Sequence, residues 1–239
     1  MKNLIYIFLA FFCFGAYAQE KKLIWDYPIQ PDTEGWNKCN SAEEIYQTLQ
    51  VPDKILKELD TESLVDICLN YPARLVFNVY NVPQASFDAF YLQFNGIREL
   101  MDRKDVGKFL SKKYADMSMN RFNNSWTLVE QGAFVAKFST MELFLAQSSA
   151  LKSLDDKDRK QLIKESIKKF DLKKSRNELF GGNSMEMTTW VMAKILWDEK
   201  QLSDKASSNS NIETSLKTGS LWDFDLPYVY GQAKIFTSE

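Results

Sequence analysis

The 239-residue chain contains no histidine. That removes the commonest general base, the Ser-His and Cys-His nucleophile pairs and every imidazole metal site. Cysteine is almost as scarce. Cys13 lies in an N-terminal apolar run, and Cys39 and Cys68 alone are too few for a thiolate zinc site. An excess of either charge is lacking too: 30 Lys and Arg face 32 Asp and Glu. Such a balance argues against a nucleic-acid binder steered by its overall field. No cofactor motif is present. Gly181-Gly182-Asn183-Ser184 lacks the phosphate-loop spacing and a preceding strand, and reads as a helix stop followed by a Ser184 cap.

Long apolar runs are confined to one, Leu4 to Phe14. These eleven residues reach about half of the roughly 20 that a bilayer-crossing helix needs. Lys2 precedes the run and Gly15-Ala16-Tyr17-Ala18 follows it, the arrangement of a secretory signal peptide cut after Ala18. Phe12 is too large for a lipoprotein signal at Cys13. The expectation is an exported chain, periplasmic or secreted, with no integral membrane segment after cleavage. Removing 18 of 239 residues takes away one cation and no anion and leaves 221 residues of net charge near −3, enough to bury a sizeable core. Outside the cytoplasm Cys39 and Cys68 could form a disulfide closing a loop of about 30 residues. Alternatively Cys68, within Leu64-Val65-Asp66-Ile67-Cys68-Leu69, is a small buried hydrophobe.

Beyond residue 40 the apolar residues recur at spacings of three and four, and β-branched alternation is scarce. The pattern predicts an all-α fold, either an irregular multi-helix bundle or a short solenoid-like stack of helix pairs. The solenoid alternative rests on a faint echo between residues 49–59 and 101–111. Residues 19–40, with Pro28, Pro31 and Gly35, form an extended lead segment before a helical domain over 41–200. Ser41 and Glu44 suggest a capping box, Asn95-Gly96 a left-handed helix stop, and residues 125–151 the longest helix, capped by Ser125. Residues 156–180 are the next candidate, then a helix from Ser184. Residues 201–220, rich in Ser, Asn, Lys and Thr, read as a flexible connection, and 221–239 as an aromatic strap across the body.

The remaining chemical options are three. Paired carboxylates could cleave a glycosidic bond, and Asp53, Glu99 and Glu130 lie near apolar stripes, although nothing else singles them out. Residues 157–176 carry nine cations against three anions, a basic amphipathic helix whose Lys160, Lys164 and Lys168 could meet an anionic partner or form a solvated face. Aromatics make up 14% of the chain; of these Trp25, Tyr27, Trp222, Tyr228 and Tyr230 are least in phase with a core and are candidate contacts for a protein or glycan ligand.

Cys68-Leu69-Asn70-Tyr71-Pro72 and Phe94-Asn95-Gly96-Ile97-Arg98-Glu99-Leu100-Met101-Asp102-Arg103-Lys104-Asp105 resemble a family of exported helical proteins from Bacteroidetes. The likeness spans roughly residues 36 to 200. It implies export and a helical fold and carries no catalytic residues over. The functional expectation is a non-catalytic binding or interaction module without a cofactor or metal. A carboxylate-dependent glycan hydrolase is the alternative, and a structural envelope component, marked by a large apolar patch, is the third.

Overall fold

The computed structural model describes residues 25–74, 82–181, 183–202, 212–221 and 225–238. The expected signal peptide, the start of the lead segment and Trp222 lie outside the described residues.

Among the described residues there are fourteen α-helices and no strand. The lead segment carries one short turn, α1 (Glu34–Asn37). Four helices follow: α2 (Ala42–Thr48), α3 (Asp53–Glu58), α4 (Thr61–Leu69) and α5 (Pro83–Gln93). Pro52 ends the stretch after α2, and Asp60 starts α4 by accepting a hydrogen bond from Ser63 N. Ser41 caps α2 as expected, but the Glu44 carboxylate takes the Asn40 N–H instead of closing the box.

Asn95-Gly96 does not end a helix. It opens α6 (Asn95–Asp102), because the Asn95 amide is committed elsewhere: it accepts from Val51 N at 3.0 Å and donates to Val51 O at 2.7 Å. This pair fastens the loop after α2 to the start of α6. Gly96 is needed for space, since a Cβ there would lie 2.4 Å from the Phe94 ring. Residues 103–105 separate α6 from α7 (Val106–Asp116), whose Gly107 lets it press against Ala150 O.

The expected helix over 125–151 is two, α8 (Leu128–Leu145) and α9 (Ser148–Lys152). Ser125 is held in a local turn by Asn123 Oδ1, so Thr127 becomes the cap and forms a full capping box with Glu130. The longest helix is α10 (Asp156–Ser175), followed by α11 (Asn177–Phe180). Gly181, at φ 68°, stops α11, and Ser184 falls inside α12 (Asn183–Asp198).

Part of the expected flexible connection is a helix, α13 (Ile212–Thr218). Ile212 and Leu216, spaced by four, are both buried, which is enough to dock a short polar segment. The C-terminal strap is likewise a helix, α14 (Asp225–Ser238).

The long helices α10, α12 and α14 pack on one another, and α8 lies against α12. α8 also packs against α4, α5, α7 and α9, α6 lies among those four, and α13 reaches back to α5. Contacts between elements this far apart in sequence define an irregular bundle, whereas a solenoid repeat touches only its neighbours. In the core cluster lie Phe90, Phe94, Phe144 and Trp190, none more than 2% exposed. Each such ring contributes about 1.5–3 kcal/mol by leaving water. Cys68 is fully buried and unpaired, and burial pushes its thiol well above the usual value. Cys39 is also a free thiol, donating weakly to Gly35 O.

Candidate functional site

Two polar groupings stand out, one sealed and one open. The sealed one joins four helices. Glu142 on α8 accepts from Tyr114 on α7 at 2.6 Å, from Thr188 on α12 at 2.7 Å and from Lys173 on α10 at 2.6 Å. Lys173 also donates to Ser184 O at 2.9 Å and to Thr188 Oγ1 at 3.0 Å, so all three ammonium protons have acceptors. Both charged side chains are 0% exposed. Burial pulls the Lys173 ammonium below its usual value, against the opposing pull of Glu142. Burial pushes the Tyr114 phenol well up, and Glu142 adds to the shift. Lys173 and Lys169, counted with the solvated basic face in the sequence, both point inward. Lys169 reaches Met117 O at 2.6 Å.

The open grouping is a cleft of about 660 Å³ where α5, α6, α9, α12 and α13 meet. Its walls are set by helical spacing: Gln84, Phe87 and Tyr91 share one face of α5, and Lys194, Trp197 and Asp198 share one face of α12. Met101, Leu151 and Leu216 supply the apolar floor. The α13 wall is pinned through Trp190, whose indole N–H donates to Leu216 O at 2.8 Å. Gly219, at φ 79°, allows the close approach: a Cβ there would lie 2.8 Å from Pro83 and 3.0 Å from Trp190.

The cleft's charges are unequal in their commitments. Lys217 and Glu213 pair with each other at 2.8 Å, which holds the Glu213 carboxyl below its usual value. Asp102, Asp198 and Lys152 are exposed. Lys194 is half-buried, sits over the Trp190 ring at 5.1 Å, and makes no hydrogen bond or ion pair with any described residue. Burial lowers its ammonium below the usual value, with only the field of Asp198 opposing.

The residues singled out in the sequence lie elsewhere. Tyr27 is tied into the body, its hydroxyl donating to Ile67 O at 2.8 Å, and Trp25 packs on it edge-on at 4.6 Å. Tyr228 is half-buried on α14. Tyr230 stacks on Phe170 at 4.7 Å and donates to Asp171, which pushes its phenol up to about 12. α14 thus brings Tyr230 beside the basic face of α10, where Lys160 sits over Phe236, Lys168 pairs with Glu165 at 2.6 Å, and Lys164 is exposed. The three acids considered for hydrolysis hold structural posts: Asp53 begins α3, Glu99 pairs with Arg103 at 2.7 Å, and Glu130 caps α8.

Among the described residues no group of three His, Cys, Asp or Glu side chains is placed to hold a metal ion, and no helix is long and apolar enough to cross a membrane. The exposed large apolar side chains among the described residues are Leu92, Leu128, Val129 and Ile235, of which Leu128 and Val129 are neighbours in the sequence. No protein-family model, curated protein or solved structure matches the chain.

Proposed function

We propose that the protein is an exported, non-catalytic binding module whose ligand seats in the cleft between α5, α9, α12 and α13. The observation that carries this reading is the pairing of two half-buried rings, Tyr91 and Trp197, with exposed or already neutralised carboxylates. Rings recessed in a concave wall supply contact area at low entropic cost. Glycoside hydrolysis needs one carboxyl raised toward neutrality as a proton donor. The Glu213 carboxyl is instead held low by Lys217, and Asp102 and Asp198 stand in water. The most deeply buried carboxylate among the described residues, Glu142, is clamped by three donors and does not line the cleft. Export rests on Lys2, the run Leu4 to Phe14 and the site at Ala18.

Three measurements test the reading. Incubating the mature protein with a panel of small glycans and organic acids, followed by mass spectrometry, should give bound compound that is chemically unchanged. Release of a cleaved product would restore the hydrolase reading. Trp197→Ala should abolish the binding, and retention of full affinity places the ligand elsewhere. Protein recovered from its native host should begin at Gln19, whereas an N-terminus at Met1 overturns export.

A further inference from the structure

We infer that the cleft takes a cyclic carboxylate, seated with its carboxylate on the Lys194 ammonium and its ring against Trp197 and Tyr91. The inference rests on the binding role proposed above and adds the chemistry of the ligand. An ammonium drawn into a protein wall loses hydration, and the loss is ordinarily offset by hydrogen-bonding acceptors. Lys173, one helix away, has three acceptors, whereas among the described residues Lys194 has only the Trp190 ring beneath it and the more distant charge of Asp198. Lys194 lines the cleft, where a ligand oxyanion would supply the missing acceptor through charge-assisted bonds. Lys217 is already committed to Glu213. The ring requirement follows from α12 itself: Trp197 lies three residues after Lys194, on the same face, so a group held by the ammonium brings its body against the indole. The exposed carboxylates Asp102 and Asp198 on the cleft wall would accept hydroxyl or N–H donors carried by that body and disfavour a second anionic group. Aromatic acids and sugar acids share this chemistry.

The test uses the mature full-length protein and two isosteric pairs, benzoate with benzamide and methyl glucuronide with methyl glucoside. The readout is the indole N–H resonance of Trp197, assigned by its loss in Trp197→Phe. The anionic member of at least one pair should bind about tenfold more tightly than its neutral partner. Lys194→Met should erase that ratio, Lys194→Arg should keep most of it, and Lys164→Met on α10 should leave it unchanged. A preference within the benzoate pair alone assigns an aromatic acid, and one within the glucuronide pair alone a sugar acid. Equal affinities within both pairs, or a ratio that survives Lys194→Met, overturn the inference while leaving the cleft a binding site. Silence of Trp197 toward all four compounds overturns it too. The binding role itself falls only if the wider panel also fails to bind.

Discussion

Lys173 and Lys194 lie on neighbouring helices that pack on each other, and burial depresses both ammonium groups, yet they have opposite standing in the molecule. Lys173 is 0% exposed and fully partnered, so its charge is consumed in holding α7, α8, α10 and α12 in register. Lys194 is half-buried, has no hydrogen-bond or ion-pair partner among the described residues, and lines a cleft. A perturbed ionisable group marks a functional site only when its charge remains available. The sealed cluster is therefore framework, and the open lysine is the feature to which a ligand can respond.

The sharpest way to break this comparison is to remove one partner of the sealed pair. Lys173→Met leaves the Glu142 carboxylate buried with two hydroxyl donors, and should cost about 3–5 kcal/mol in denaturant unfolding. Pairing it with Glu142→Leu should recover at least half of that loss, because the charge that must be buried disappears together with its counterion. If the single substitution costs under about 1 kcal/mol, the cluster is not the framework described.

The helices were legible in the sequence because an apolar stripe is a local signal, and the spacing beyond residue 40 was strong enough to give the all-α class. Where the expectation failed, a non-local contact decided. Asn95-Gly96 reads locally as a helix stop, but the Asn95 amide spans to Val51; residues 212–218 read as too polar to order, but Ile212 and Leu216 suffice to dock them. The cleft was not legible at all, since its walls come from residues 84–102, 147–152, 194–198 and 213–217 and no single stretch records their meeting. One signal was present and unused: Glu142 is the lone charge in Met141-Glu142-Leu143-Phe144-Leu145-Ala146, and a carboxylate inside such a run requires a partner. Lys173 could not be identified as that partner, being one of nine cations over residues 157–176.

Alkaline titration probes the sealed region next. Burial raises Tyr114 and Tyr27 well above the ordinary tyrosine value of 10.0, so the fold favours their protonated forms. Groups raised in the folded state give stability that is complete below the unfolded value and is lost as pH rises above it. The buried lysines Lys169, Lys173 and Lys194 act in the opposite sense, adding stability as pH climbs toward the unfolded value of 10.5 and nothing further beyond it. Above 10.5 the tyrosine slope remains, up to about 1.4 kcal/mol per pH unit for each phenol. Tyrosinate absorbance followed with circular dichroism should show these two phenols ionising only as the helices melt. Ionisation in the intact fold contradicts their burial.

On the cleft side, Gly219→Ala strains a positive-φ position and drives a methyl group into Pro83 and Trp190. The expected cost is about 1–3 kcal/mol, with faster amide exchange across residues 212–218 as α13 loosens. Unchanged exchange means that α13 is not held through Trp190.

Lys194→Met should have the smallest effect and gives the cleanest contrast. The substitution removes a partly desolvated charge that has no acceptor among the described residues, which favours the fold, and loses a cation–π contact worth about 0.5–1 kcal/mol, which opposes it. The two nearly cancel, so the unfolding free energy should move by less than about 1 kcal/mol, against the several lost with Lys173→Met. Two lysines depressed by the same physical cause would then differ several-fold in what their removal costs, and the difference would be the presence or absence of acceptors. A loss at Lys194 as large as that at Lys173 means that its ammonium has protein acceptors after all, and is no longer free to hold a ligand.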